Sequence, residues 1–346
     1  ARLGLLDGVP PAVDPAAAPP PPDGPALAHE IATRSFVLAR NTDDVLPLDA
    51  GRLRRVAVLG ALAEDARIQG GGSAHITPSH VVSPLAGLAA ALPDVTIDYA
   101  VGADPRPHLP AATGAQWAPI TATLRDAAGR DRYTTTLDRA AVRWMGELPA
   151  GIATTELATV ELSARYTPPV TGTHQLAIRG FGMFTLTVDG AVLFDGPLFA
   201  PEDDPRDVFL SPVERRFAVP LTAGQPVDVV LTRRVTDGQG GFVLFGLGHA
   251  EPALDDPDAL LDEAVRVATG ADVAVVVVGT TEEVESEGFD RTTLALPGRQ
   301  DELVSRVAAV NPRTIVVVNS GAPVLLPWLD EVAAVLLTWF PGQEAG

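Results

Sequence analysis

The chain has 346 residues, enough for two domains and a sizeable core, and its 46% apolar and 20% charged content is ordinary for a globular protein. A formal charge of −19 argues against nucleic acid and anionic membrane surfaces as partners, since both need clustered cations. No apolar run approaches the roughly 20 residues needed to span a bilayer. All 25 basic residues are arginine, which together with abundant Ala, Pro, Gly and Val fits a high-GC genome. Zero cysteines removes disulfides, thiolate zinc sites and cysteine nucleophiles together, and leaves the compartment open between extracellular and cytoplasmic.

Residues 1–28 read as a linker, because Pro10, Pro11, Pro15 and the run Pro19–Pro22 favour polyproline II over helix or sheet. No charged-then-apolar leader precedes it. His29–Arg40 carries helical spacing, with Ile31, Ser35/Phe36 and Ala39 on one side. A short buried strand at Val56–Leu59 leads into a glycine-rich loop, Gln69–Ala74, and an apolar helix around Pro84–Leu92. Val95–Tyr99 is the next strand. This alternation predicts the first half of a parallel or mixed α/β sandwich domain over 29–110.

The periodicity then changes from helical to alternating. Thr159–Tyr166, His174–Arg179, Phe184–Val188, Arg216–Val219, Val227–Thr232 and Phe242–Leu247 are separated by turn signals such as Asp189-Gly190 and Ala223-Gly224. That pattern predicts an antiparallel β-sandwich inserted over 111–252. Helical spacing resumes at Asp258–Thr269, followed by a Val-rich strand at Val273–Val278 and a helix at Arg299–Val310. Strand Ile315–Asn319, a Pro-bounded turn with a helix near Trp328, and strand Ala334–Thr338 complete the second α/β half over 253–346. The sandwich therefore interrupts one α/β domain, and both halves are needed to build its sheet.

Chemistry concentrates after Val278. Four glutamates (Glu282, Glu283, Glu285 and Glu287) crowd a loop at the C-terminal end of a buried strand, followed by Gly288, Phe289, Asp290 and Arg291. Like charges this close raise one another's pKa, so one carboxyl is easier to keep protonated near neutral pH. A protonated carboxylic acid at such an edge is what a glycosidase needs to protonate a leaving oxygen. On spacing alone, a solvated acidic loop is the commoner fate of such a run. Gln69–Ala74 lacks the G-x-G-x-x-G spacing, the P-loop lysine and a ribose-binding acid, which excludes a nucleotide reading. The six histidines show no zinc spacing, and His75 and His80 flank the glycine loop as polar lining. Glu202-Asp203-Asp204 reads as an exposed acidic turn rather than a calcium site. No cofactor and no metal are expected.

The wording around the glutamates carries a resemblance. ESEGFDR with LALPGRQ, then VNPRTIVVVNSGAPVLLPW and LLTWFPGQEAG, is similar to glycoside hydrolase family 3, the β-glucosidase-like enzymes. ARLGLLDG, HEIATRSFVLARNTDDVLPL and VAVLGALAEDARIQGGGSAHITPSHVVSPLAGL resemble the same family in the same order. RYTPPVTGTHQLAIRGFGMFTLTVDGAVLFDG resembles the protective-antigen-like β-domain inserted in some of its members. The resemblance implies that Glu287, directly before the Gly-aromatic-Asp-Arg step, is the general acid/base, with Glu285 the nearest competitor. It places Gly72 and Ser73 beside the sugar pocket, where glycine lets the backbone approach a ligand. Phe199, between Pro197 and Pro201, is the candidate to face the aglycone. Asp290 and Arg291 are expected to form an ion pair or cap that shapes the loop. Arg40 stands where the family commonly has lysine, and Val284 where an aromatic often precedes the glutamates.

Family 3 retaining enzymes carry an aspartate nucleophile on a separate (β/α)8 barrel, usually in a Ser/Thr-Asp-Trp context. This chain has neither that tripeptide nor a barrel pattern. The expectation is a middle portion with half an active site, inactive alone, whose partners are a glycoside substrate and the missing barrel of the same protein. The rival expectation is a non-catalytic carbohydrate-binding module on an α/β scaffold.

Overall fold

A computed structural model describes residues 23–72, 76, 78, 80–145, 148–199, 213–235, 242–252, 256–287 and 290–346. Helix α1 (Gly24–Ser35) starts where Asp23 accepts from the Ala26 amide and proline occupies the first turn. It begins inside the segment read as linker, whose residues 1–22 lie outside the described residues. It also stops earlier than its spacing suggested. Strand β1 (Val37–Asn41) follows at once, because Val37 and Leu38 pair with Leu337 and Leu336, and tertiary pairing overrides the local helical pattern.

Strand β2 (Arg55–Leu59), helix α2 (Pro84–Ala91) and strand β3 (Thr96–Ala100) complete the first α/β segment. After the sandwich come helix α3 (Pro257–Thr269), strand β14 (Val273–Gly279), helix α4 (Gln300–Ala308), and strands β15 (Thr314–Asn319) and β16 (Ala334–Leu337). The helix expected near Trp328 is only a 3-10 turn, Leu329–Glu331. Trp328 is buried there, its indole N–H donating to Asp301 at 2.8 Å. The six strands order as β1-β16-β15-β14-β2-β3, parallel except for β1 at the edge. Every residue of the central β14 is buried because both sheet faces are covered. On one face Leu261, Ala264, Leu303 and Val307 pack on Ala274, Val276 and Val316. On the other, Val273, Val275, Val277 and Ile315 meet Leu62, Leu88 and Leu92.

Among the described residues between β3 and α3 lie ten strands in two antiparallel sheets. They are β4 (Ile120–Arg125), β5 (Asp131–Leu137), β6 (Ala141–Met145), β7 (Thr159–Tyr166), β8 (Gly172–Gly180), β9 (Gly182–Val188), β10 (Ala191–Leu198), β11 (Glu214–Leu221), β12 (Val227–Arg234) and β13 (Phe242–Ala250). One sheet orders as β10-β9-β12-β7-β4-β5 and the other as β11-β8-β13-β6. Between them sits a core that includes Trp117, Tyr166, Phe184, Leu186 and Leu231. The sandwich thus interrupts a mixed-sheet α/β domain, and no (β/α)8 barrel occurs among the described residues.

The entry and exit of the sandwich are hydrogen-bonded to each other. Ala111 bridges Gly248, the Ala112 amide donates to the Leu247 carbonyl at 2.9 Å, and the His249 amide to the Pro110 carbonyl at 3.0 Å. The entry segment is pinned as well. Glu214 accepts from the Leu109 amide at 2.8 Å, and Arg216 donates to the Pro107 carbonyl at 2.7 Å.

Candidate active site

Three parallel strands deliver their C-terminal ends to one sheet edge, where ligands of α/β sheets bind. β2 leads toward the glycine loop, β14 into the acidic loop, and β15 ends on Asn319 and Ser320. The turn out of β14 is fixed by the side chain of buried Gln300. Its amide accepts from Gly279 N–H and donates to Gly279 O, both at 2.8 Å. Asn319 ties the glycine-loop segment to the sheet. It accepts from the Arg67 amide and donates to the Arg67 carbonyl, both at 2.8 Å, and also donates to the Trp339 carbonyl at 2.6 Å. Arg67 in turn donates through Nη2 to the Glu285 carbonyl and lies 4.9 Å over the Phe340 ring. Burial lowers the Arg67 pKa despite the nearby Glu282, Glu285 and Glu283.

The four glutamates have separate surroundings. Glu282 stands 3.6 Å from Arg143 Nη1 and accepts from the Gly72 amide at 3.4 Å. Glu283 pairs with Arg179 at 2.8 Å. Glu285 accepts from the hydroxyls of Thr280 at 2.6 Å and Ser320 at 3.3 Å. Glu287 is exposed and lies against Gly72. A Cβ at Gly72, whose φ is +72°, would come within 2.5 Å of Glu287 Cβ and 2.7 Å of its Oε2, so only glycine lets the two loops close on each other here.

The mutual repulsion expected from sequence is offset by arginines from distant segments. Burial, the largest single influence, raises the Glu283 carboxyl, but Arg179 together with smaller hydrogen-bond and charge contributions outweighs it, and the pKa ends below the ordinary glutamate value. The same surroundings act on His108, whose pKa burial lowers first and Arg179 lowers further. The expected Asp290–Arg291 ion pair does not form: Asp290 is exposed, and Arg291 donates instead to the carbonyls of Pro323 (3.3 Å) and Ala295 (3.4 Å). A guanidinium that can reach two backbone acceptors across its loop is used as a brace, not as a counter-ion. His80 binds Glu344 at 2.6 Å. Ser73, His75, Phe209 and Glu202-Asp203-Asp204 lie outside the described residues.

Of the sandwich aromatics, Phe184 is core, Phe181 lies 5.1 Å from the Arg233 guanidinium, and Phe199 is 60% exposed just beyond β10. Its neighbour Leu198 pairs with Gly182, at the end of the sandwich where β8 delivers Arg179. Arg67, Arg143 and Arg179 carry no local signal as site residues, since each lies far along the chain from the glutamates. Asn319, a polar residue closing a buried strand, is the one that a strand-end rule could have found.

The sequence profile described as the glycosyl hydrolase family 3 C-terminal domain matches residues 36–346. The chain belongs to glycoside hydrolase family 3. It is 35% identical to β-glucosidase B of Emericella nidulans over 94% of its length, and 33% identical to a β-glucosidase of Rhizobium radiobacter over the same share. These alignments cover 40% and 39% of the two relatives, so the chain spans about 40% of the length of the curated family 3 proteins it matches. Among solved structures it resembles the β-glucosidase of Kluyveromyces marxianus, with a TM-score of 0.82 at 26% identity over 94% of this chain and 40% of that one. A second structure of that enzyme, in complex with glucose, aligns with a TM-score of 0.79 at 27% identity over 93% of this chain and 40% of that one.

Proposed function

We propose that this chain is the acid/base-bearing portion of a retaining β-glucosidase-type hydrolase that removes terminal β-D-glucosyl residues from a small glycoside or oligosaccharide. The observation that carries this reading is the position of Glu287: exposed, on the loop that follows β14, with its carboxylate against Gly72 of the glycine loop at the C-terminal edge of the parallel strands. The nucleophile is an aspartate on a barrel in the remainder of the polypeptide. It attacks the anomeric carbon as Glu287 gives its proton to the departing oxygen. Glu287 then takes a proton from the water that releases the sugar. Gly72 and Ser73 line the sugar subsite, and the sandwich walls the aglycone side through Phe199.

Glu287→Ala in the complete enzyme tests the assignment. General acid–base assistance contributes roughly 10²–10⁴-fold, most where the leaving group needs its proton most. Alkyl glucosides should be nearly inert with this variant, whereas dinitrophenyl glucosides should still form the glycosyl-enzyme, which accumulates for want of a base. Azide needs no deprotonation and should restore turnover as β-glucosyl azide. Glu285→Ala should show no azide rescue. The opposite pattern would make Glu285 the acid/base.

A further inference from the structure

The outer face of the four-stranded sandwich sheet is built to meet the acidic loop. On β13, Val243, Phe245 and Leu247 point into the core, so Leu244, Gly246 and Gly248 face outward. Arg143 on β6 pairs with Leu244 and Arg179 on β8 pairs with Gly246, which puts both arginines on that outer face, one on each side of β13. Glycines on β13 allow a close approach: a Cβ at Gly248 would come 3.0 Å from Leu109 Cβ in the entry segment. Glu214, opposite Arg179 on β11, holds that segment's backbone. Sheet, entry segment and acidic loop therefore form one packed assembly.

Within it the two arginines hold different points of the loops around Glu287. Arg179 fixes Glu283 at 2.8 Å, and the Glu283 side chain is only 13% exposed. Arg143 reaches both loops at once, standing 3.6 Å from Glu282 and donating to the Gly72 carbonyl at 3.3 Å. Gly72 is the residue against which the Glu287 carboxylate rests. Both loops that define the position of Glu287 are thus held by cations from the inserted sandwich, about 70 to 140 residues away in sequence.

We infer that Arg143 and Arg179 are positioning residues for Glu287: the sandwich sets the acid/base geometry as well as walling the pocket. Neither guanidinium touches substrate in this scheme, and each acts through a partner, Gly72 and Glu282 for Arg143 and Glu283 for Arg179. The inference rests on the reading of Glu287 as the acid/base. Loss of an ordinary surface ion pair would have little effect, but a displacement of about 1 Å at a proton donor can cost on the order of 10²-fold.

The test uses the complete enzyme with Arg143→Met and Arg179→Met, which keep an unbranched apolar stem and remove the guanidinium and its charge. Steady-state kinetics are compared on an alkyl β-glucoside, which needs its leaving oxygen protonated, and on 2,4-dinitrophenyl β-glucoside, which does not. The expected loss in kcat/KM is roughly 10- to 100-fold on the alkyl substrate and less than about 3-fold on the activated one. Arg179→Lys, which retains a cation, should recover much of the alkyl activity. Equal losses on both substrates, or no loss in a variant with wild-type circular dichroism, would overturn the inference. The Glu287→Ala azide experiment separates the two failures. If azide rescues that variant while the arginine variants show no leaving-group dependence, only the positioning role falls. If azide does not rescue it, the acid/base reading falls first.

Discussion

At the residue scale, Glu283 is drawn in two directions. Burial works against its charged form, and the Arg179 guanidinium, with smaller hydrogen-bond and charge contributions beside it, offsets that and leaves the carboxyl below its ordinary value of 4.5. A carboxyl lowered on folding stabilises the fold above its unfolded pKa, and that contribution is lost as pH falls through the folded value. Glu283→Gln should therefore cost on the order of 1 kcal/mol near neutrality, after solvent screening of the half-buried pair. The difference from the parent should shrink below pH 4.5 and vanish once the native Glu283 is protonated. Acid titrations of the thermal midpoint of the two proteins check this. A difference that stays constant down to pH 3 would mean the pair contributes nothing through charge. Glu285 has hydroxyl partners instead, Thr280 and Ser320. Replacing it by alanine strands the Thr280 hydroxyl, while Ser320 keeps the Ala322 carbonyl at 2.8 Å, at a cost of about 1–3 kcal/mol visible in the melting temperature.

At the scale of elements, the sandwich core contains an unusual polar inclusion. Trp117 stacks on Tyr166 at 4.2 Å, and His249 lies edge-on to both. Fully buried His174 donates from Nε2 to the Val170 carbonyl at 3.0 Å, which leaves its Nδ1 to accept from His249 Nε2 at 3.2 Å. Burial, with a smaller push from His174, brings His249 down to about 4 from 6.5. For a base lowered on folding, stability is whole above the unfolded pKa and is lost as pH falls from 6.5 toward 4. The loss should reach roughly 3 kcal/mol, and thermal melts with tryptophan fluorescence between pH 7 and pH 4 would follow it. His249→Gln should flatten that dependence; an equally steep profile in the variant would locate the acid sensitivity elsewhere. Legibility from sequence divided along similar physical lines. Strands with strict alternation or all-Val faces, such as β7, β12 and β14, were readable. β5 was not, because its DRYTTTL face is polar and it sits at a sheet edge, nor was β10, where Gly196 and Pro197 break the pattern. β4 buries Thr123 in sequence between Ala122 and Leu124, so its alternation is faint. The site was half readable for a related reason: Glu287 and Gly72 lie in recognisable local wording, whereas Arg143 and Arg179 become neighbours of the loop only through sheet register.

At the scale of the whole molecule, Phe199 is where the sandwich could act on selectivity. It is exposed, and strand register places it at the end of the sandwich that carries Arg179. Phe199→Ala in the complete enzyme should raise KM for glucosides with bulky aromatic aglycones by about 3- to 10-fold, the loss of one aromatic contact, and leave small aryl glucosides unaffected. Equal KM values across both classes would remove Phe199 from the aglycone side. The paired backbone at Ala111 and Gly248 has a different consequence. Because the chain leaves and re-enters the α/β sheet at adjacent, hydrogen-bonded points, the intervening residues form a closed loop on a narrow neck. Their length and surface can change without altering the register of β2 against β14, which lies wholly on the other side of that neck. Selectivity and chemistry can then vary on separate genetic schedules, provided that any replacement sandwich still brings two cations to the rim.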